Sequence, residues 1–272
     1  MRDFAGKLIV LTGASGGIGA AVARRLASGG ARLVLVGRSA SALDALRETL
    51  PTADDAHRVV AADLTQAAGR DALRNALLQL QRPIDALING AGVNRFSLLA
   101  DSSPADIEAQ ISTNLTAPIL VTQLLLPLLD RASGRVINIG SSFGGIGFPG
   151  FSTYCASKFA LRGFTEALRR ELGDSALQIA YLAPRATRTA LNSPAVNAMN
   201  DALGNRMDAP ERVAGIVERM LLSRRMRDRA IGWPERLFLR INAVFPALVD
   251  GALRKQLGVI KRFAQPAPSA LS

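Results

Sequence analysis

In Tyr154-Cys155-Ala156-Ser157-Lys158 a phenol and an ammonium stand four residues apart, which on a helix puts both on one face. The chain has only two tyrosines, and only four of its 33 basic residues are lysines, so few such pairs arise by chance. A lysine kept where arginine is the rule points to a need for a compact ammonium rather than a planar guanidinium fork. This pair is the strongest catalytic signal in the sequence. A second constellation lies near the start, in Thr12-Gly13-Ala14-Ser15-Gly16-Gly17-Ile18-Gly19, between an apolar run and a helical pattern containing Val22 and Leu26. Glycines let the backbone turn sharply and approach a pyrophosphate, and a helix N-terminus offers free N–H groups to it. A third signal follows the next apolar run, which ends Val36-Gly37-Arg38-Ser39 without an acid. A dinucleotide site with arginine there suits an adenosine 2′-phosphate, where an acid would bond a free 2′-hydroxyl, so NADP(H) is favoured over NAD(H).

The elements that must position these residues read as repeated β-α units. Leu8–Leu11, Leu33–Val36, Val59–Ala61, Ala86–Ile88, Val136–Ile139 and Ile179–Leu182 are short apolar runs typical of buried strands. Between them, apolar residues recur at helical spacing, as in Leu43, Leu46 and Leu50 or Leu73, Leu77 and Leu80. Such alternation predicts an α/β fold, a doubly wound parallel sheet in a three-layer α/β/α (Rossmann) arrangement. Ligands there bind beyond the carboxyl ends of the strands, where strand order reverses. After Ala183 the rhythm gives way to a loop rich in Thr, Asn and Ala, followed by a helix starting near Pro210.

Composition narrows the function classes. Hydrophobic residues make up 49% of the 272, enough for a large core. The single cysteine, Cys155, excludes an internal disulfide, and with the single histidine, His57, it cannot complete a tetrahedral zinc site, so no metal is expected. A Ser-His-Asp hydrolase would have only His57 as its base and is set aside. Met1 leads through Lys7 directly into the first apolar run, and Thr116–Leu129 is interrupted by Pro118, Gln123 and Pro127. Neither a signal peptide nor a membrane-spanning helix is expected, and a cytoplasmic location follows.

The ordered motifs resemble the short-chain dehydrogenase/reductase family from about Lys7 to Leu222: the Gly13/Gly17/Gly19 turn, Asp63-Leu64, Asn89-Gly90-Ala91-Gly92, Asn114, Ser141 and Tyr154-x-x-x-Lys158. The resemblance implies Tyr154 as general acid/base and cofactor contact, Lys158 as its charge partner and ligand of the nicotinamide ribose, and Ser141 as the residue that steadies the substrate oxygen. It implies Asn114 as holder of a proton-relaying water, Asp63 and Leu64 at the adenine, and Asn89 and Ala91 along the cofactor. Ser15 and Ile18 belong to the phosphate turn, and Thr187 and Thr189 follow the sixth strand, with Thr189 at the nicotinamide carboxamide. Two departures stand out: Arg185 replaces a glycine expected beside the nicotinamide, and the family's usual last strand is not evident.

In place of that strand come two amphipathic segments. Leu237, Phe238, Ile241, Val244, Phe245 and Leu248 follow helical spacing, then Leu253, Leu257 and Ile260. The expected organisation is a catalytic domain over 1–232, a basic helical extension over 233–264 and a Pro/Ala/Ser tail over 265–272. The extension would either cap the core or a homodimer interface, or rest on an anionic membrane at the cytoplasmic face, because much of the net charge of +11 lies between Arg224 and Arg262. Nucleic acid is not an expected partner, since no aromatic residues for base stacking are interleaved with that charge. The expected function is NADP(H)-dependent hydride transfer to or from an apolar, lipid-like carbonyl or alcohol. The alternative is a catalytically silent cofactor-binding regulator or scaffold on the same fold.

Overall fold

A computed structural model describes residues 3–51 and 57–264. In chain order these form β1 (Leu8–Thr12), α1 (Gly17–Ser28), β2 (Arg32–Gly37), α2 (Ala40–Glu48), β3 (Arg58–Ala61), α3 (Ala67–Leu78) and β4 (Ala86–Asn89). Then come α4 (Pro104–Ile111), α5 (Ala117–Leu125), β5 (Arg135–Ile139), α6 (Ser152–Glu171), β6 (Gln178–Ala183), α7 (Pro194–Ala202), α8 (Pro210–Leu222), β7 (Arg229–Ala230), α9 (Trp233–Val244) and α10 (Pro246–Ala264). The proposed 265–272 tail lies outside the described residues.

The seven strands are parallel in the order β3-β2-β1-β4-β5-β6-β7, so strand order reverses between β1 and β4. Side chains alternate across the strands and fill two cores. From β1, Ile9 and Leu11 pack with Val22 and Leu26 of α1 and Val213 and Val217 of α8. Leu8 and Val10 face the other way, onto Leu73 and Leu77 of α3 and Val121 and Leu125 of α5. Both faces of β1 are covered, and all five of its residues are buried.

Two expectations need correction. A seventh strand does exist, but Arg229–Ala230 is two residues long and carries no apolar run, so periodicity could not reveal it. The segment read as a loop contains α7, begun by Pro194 and capped by the Ser193 hydroxyl, which accepts from Val196 N–H. Pro104–Leu128 is one continuous helical run of 25 residues, long and apolar enough by composition to cross a membrane. Its buried Gln110, Asn114 and Thr122 are nevertheless engaged inside the domain.

Candidate active site

The glycine turn leaves β1 where β1 and β4 lie side by side. The Thr12 hydroxyl accepts from the amides of Gly90 and Ala91 at 3.1 and 3.2 Å, clamping the loop after β4 onto the turn. Gly13 has φ +68°, and a Cβ there would lie 2.7 Å from the Ala91 backbone, so both conformation and space demand glycine. The first turn of α1 has no side-chain cap and no acid, so the early amides at Gly17, Ile18 and Gly19 have no intrahelical acceptor. Thr189 sits directly above this turn: its methyl would be 2.7 Å from a Cβ on Gly17.

At the end of β2, Ser15 and Arg38 are exposed, and the Arg38 guanidinium has no hydrogen-bond or ion-pair partner among the described residues. The Ser15 hydroxyl lies 3.6 Å from where a Cβ on neighbouring Gly37 would stand. Asp63 follows β3 and accepts from the Thr65 hydroxyl and amide at 2.7 and 3.0 Å. Those bonds, with the nearby Arg38 charge, hold its carboxyl below the usual range. Leu64 is buried, and its carbonyl accepts from Arg70.

The catalytic candidates converge from three elements. Tyr154 and Lys158 occupy the first turns of α6, and Ser141 follows β5. The Ser141 hydroxyl accepts from Phe143 N–H at 3.1 Å, while its backbone N–H donates to the Tyr181 phenol at 3.0 Å. Tyr181 is pressed so closely on Gly140 and Gly144 that any Cβ there would overlap its ring. Burial pushes the Tyr154 phenol up to about 12, partly offset by the Ser141 side chain. Lys158 is 4% exposed, and its Nζ donates to Ile139 O at 3.2 Å and lies 5.6 Å from the Tyr154 ring centroid. Burial pulls its ammonium down to about 8.

Asn114 sits in a π-helical turn, Ser112–Thr116, between α4 and α5. Such a turn re-aims a side chain within an otherwise regular helix. Its Oδ1 accepts from Val93 N–H at 2.8 Å, and its Nδ2 donates to Val93 O and Ser157 Oγ at 2.9 and 3.1 Å. Asn114 thereby joins the loop after β4 to α6 at Ser157, within one turn of Tyr154.

Some predicted residues are placed differently. The Asn89 side chain is turned into the core, its Nδ2 donating to Thr122 and Asn138 at 3.0 and 2.8 Å. Asn138 in turn donates to Thr165 on α6 at 2.8 Å, so the chain braces the sheet beneath the site. The Thr187 hydroxyl folds back onto Arg185 O, donating to it at 2.9 Å. Arg185 points away from the turn, toward Asp208 and Glu235. Gly140-Ser141-Ser142-Phe143-Gly144 has the spacing of a hydrolase nucleophile elbow, but Ser142 is buried and His57 accepts from Leu33 N–H at the opposite end of the strands. Sequence reading missed Tyr181, Ser157 and Asn138, whose roles depend on partners in other elements.

A family profile described as short chain dehydrogenase matches residues 7–200. The ketoacyl reductase HetN of Nostoc sp. is 37% identical over 185 residues, covering 68% of this chain; the match spans 64% of the HetN length. A short chain dehydrogenase from Burkholderia cenocepacia, solved in complex with NADP, is 28% identical with a TM-score of 0.74, covering 84% of this chain and 97% of the other. The 3-ketoacyl-(acyl-carrier-protein) reductase from Brucella melitensis, solved with NADH, is 25% identical with the same TM-score and the same coverage of each chain. The seven-stranded parallel sheet and its order define a Rossmann-type α/β architecture. This chain belongs to the short-chain dehydrogenase/reductase family.

Proposed function

We propose that the chain is an NADP(H)-dependent oxidoreductase that exchanges a hydride with the carbonyl or secondary alcohol carbon of an apolar small molecule. The observation that carries this reading is the convergence of Tyr154, Lys158 and Ser141 at the carboxyl ends of the strands, beside an uncapped glycine-turn helix. The residues present fit a nicotinamide dinucleotide: the amides of Gly17, Ile18 and Gly19, which have no intrahelical acceptor, suit its pyrophosphate, and glycine at 13 lets the Ala91 backbone close against the turn. Ser15 and Arg38 suit a 2′-phosphate, Asp63 and Leu64 the adenine, Lys158 the ribose, and Thr187 and Thr189 the nicotinamide end. When bound, the cofactor supplies or accepts the hydride. Ser141 would orient the substrate oxygen, and Tyr154, protonated across neutral pH, would donate its phenolic proton to that oxygen during reduction. Asn114 and Lys158 would link the phenol to solvent. Residues 1–232 would form the catalytic domain and 233–264 its extension.

NADPH oxidation over a panel of apolar ketones and aldehydes tests the activity. Cofactor binding without turnover on any member would favour the silent regulator instead. The cofactor preference has its own test: Arg38→Ala is expected to weaken NADPH binding by about 1.5 to 3 kcal/mol and leave NADH nearly unchanged. Equal losses for both cofactors would show that Arg38 does not read the phosphate.

A second reading of the extension is favoured by the outward face of α9 and the start of α10. Trp233, Val244, Phe245 and Leu248 are each at least 60% exposed, beside exposed Arg236, Arg240, Lys255 and Arg262. This face suits the cytoplasmic surface of an anionic bilayer, at about 1 kcal/mol for each basic residue near the headgroups. Co-sedimentation with phosphatidylserine vesicles at low salt, lost at high salt and in Trp233→Ser/Val244→Ser, is the expected result. No vesicle binding, together with a dimer that this double substitution splits, would assign the face to a second copy.

A further inference from the structure

We propose that Arg185 is a positioning residue for the cofactor: by clamping Asp208 it closes the base of the loop after β6 and sets residues 187–189 over the glycine turn before a nicotinamide arrives. The inference rests on the dinucleotide reading above and adds what holds the nicotinamide end of that site in place.

Arg185 and Asp208 stand 23 residues apart, at the two ends of an excursion that leaves β6, contains α7 and returns just before α8. Tying two such points together removes conformations that the chain between them would otherwise sample. Here the tie is double. Arg185 grips the Asp208 carboxylate with two parallel bonds, Nε to Oδ2 at 2.9 Å and Nη2 to Oδ1 at 2.8 Å. The Asp208 backbone meanwhile donates to Ala186 O at 2.8 Å and accepts from Arg188 N–H at 2.9 Å, a parallel bridge that pairs Thr187 with Asp208. One residue thus grips Arg185, Ala186 and Arg188 together. Asn192 secures the next stretch, its Nδ2 donating to Thr187 O at 2.9 Å and its N–H to Thr189 O at 3.2 Å. On the upstream side Pro184 O accepts from Ser142 N–H at 2.8 Å. The fixed segment therefore begins beside Ser141 and ends at Thr189, whose methyl lies against Gly17.

The charges in this tie are poorly exposed. The Arg185 side chain is 14% exposed and that of Asp208 5%, so screening is weak. Each has a second opposite charge, Glu235 at 3.3 Å from Arg185 Nη1 and Arg212 Nη1 at 2.9 Å from Asp208 Oδ1. Burial pushes the Asp208 carboxyl up, but the bonds and charges of Arg185 and Arg212 outweigh it and hold the group ionised. A planar guanidinium can give two parallel bonds to one carboxylate and a third to another, which an ammonium cannot. The glycine that the family resemblance leads one to expect at 185 could make none of them. A binding segment in place only part of the time lowers apparent affinity by that fraction, so one already in place binds more tightly.

Calorimetry on the full chain tests this with NADPH and with 2′-phospho-ADP-ribose, which carries the same adenine and phosphates but no nicotinamide. Arg185→Gly and Asp208→Asn should each weaken NADPH about tenfold, the effect of a segment in place about one-tenth of the time, and leave 2′-phospho-ADP-ribose within about twofold of wild type. Equal losses for both probes, or none for either, overturn the positioning role. Amide exchange in the cofactor-free wild type needs no variant to fold: the N–H groups of Arg188 and Asp208 should already be protected. Rapid exchange there that NADPH suppresses overturns the inference. NADH and ADP-ribose serve as a second pair, so that a preference for NAD(H) changes the probe and not the outcome. A wild type that binds both members of a pair equally keeps the dinucleotide site and overturns the inference, whereas one that binds none of these probes overturns both.

Discussion

Tyr154→Phe is expected to lower carbonyl reduction by roughly two to four orders of magnitude, the range for losing a positioned general acid. The substitution keeps the ring and its edge-on contacts with Phe143 and Phe151, so the apolar cluster stays filled and only the proton is lost. NADPH affinity should be unchanged, because the proposed pyrophosphate and 2′-phosphate contacts lie on other elements. The pH dependence has a definite sign. Reduction needs the protonated phenol, which burial favours, so its rate should be flat through neutral pH and fall on the alkaline side. Alcohol oxidation needs the phenolate and should rise with pH over the same interval. Single-turnover measurements of both directions check this, and near-normal reduction by the Phe variant would place proton transfer elsewhere.

Lys158→Met should abolish turnover to a similar degree and, in the cofactor-free protein, raise stability. The ammonium is buried, with one carbonyl partner at 3.2 Å and no carboxylate within ion-pair distance among the described residues. A fall from its ordinary 10.5 to about 8 corresponds to roughly 3 kcal/mol of differential stabilisation. Because the folded value is the lower one, the unfolded chain holds the proton more tightly. Stability from this position is therefore present above pH 10.5 and lost as pH falls toward 8, where the penalty is complete. Methionine fills similar length without charge, so the variant should melt a few degrees above wild type at pH 7. That gap should close as pH rises from 8 to 10.5. Thermal melts at both ends of the interval check it, and a less stable variant at pH 7 would show that the ammonium supports the fold. Proteins commonly sacrifice stability in this way at sites kept for chemistry.

Much of the fold and part of the site were legible in the chain. The six longer strands lie within a residue or two of the apolar runs, because a strand buried on both faces must be apolar along its length. The glycine turn and the Tyr154/Lys158 pair are local features, each set by spacing within one or two elements. Asn89 was less legible: its motif marks the end of β4, but its side chain turns toward Asn138 and Thr122, and only the pairing of β4 with β5 brings those together. Arg185 likewise reads as an intrusion beside the cofactor until Asp208 and Glu235, distant in sequence, are seen to draw it away.

The extension shows the division most sharply. Helical periodicity established that 233–264 is amphipathic, since the spacing of apolar residues defines a face. Which neighbour each face meets is not a property of spacing. Tertiary packing turned Ile260 and Phe263 toward the Tyr154 cluster and left Trp233, Val244 and Leu248 outside. Residue types and intervals along this chain determined the fold class, the phosphate turn and the catalytic pair, because those depend on contacts within a few residues. The Arg185 ion pairs, the apolar cluster around Ile260 and the bracing by Asn89 and Asn138 were decided only in three dimensions, because their partners lie on elements that meet after the sheet has closed.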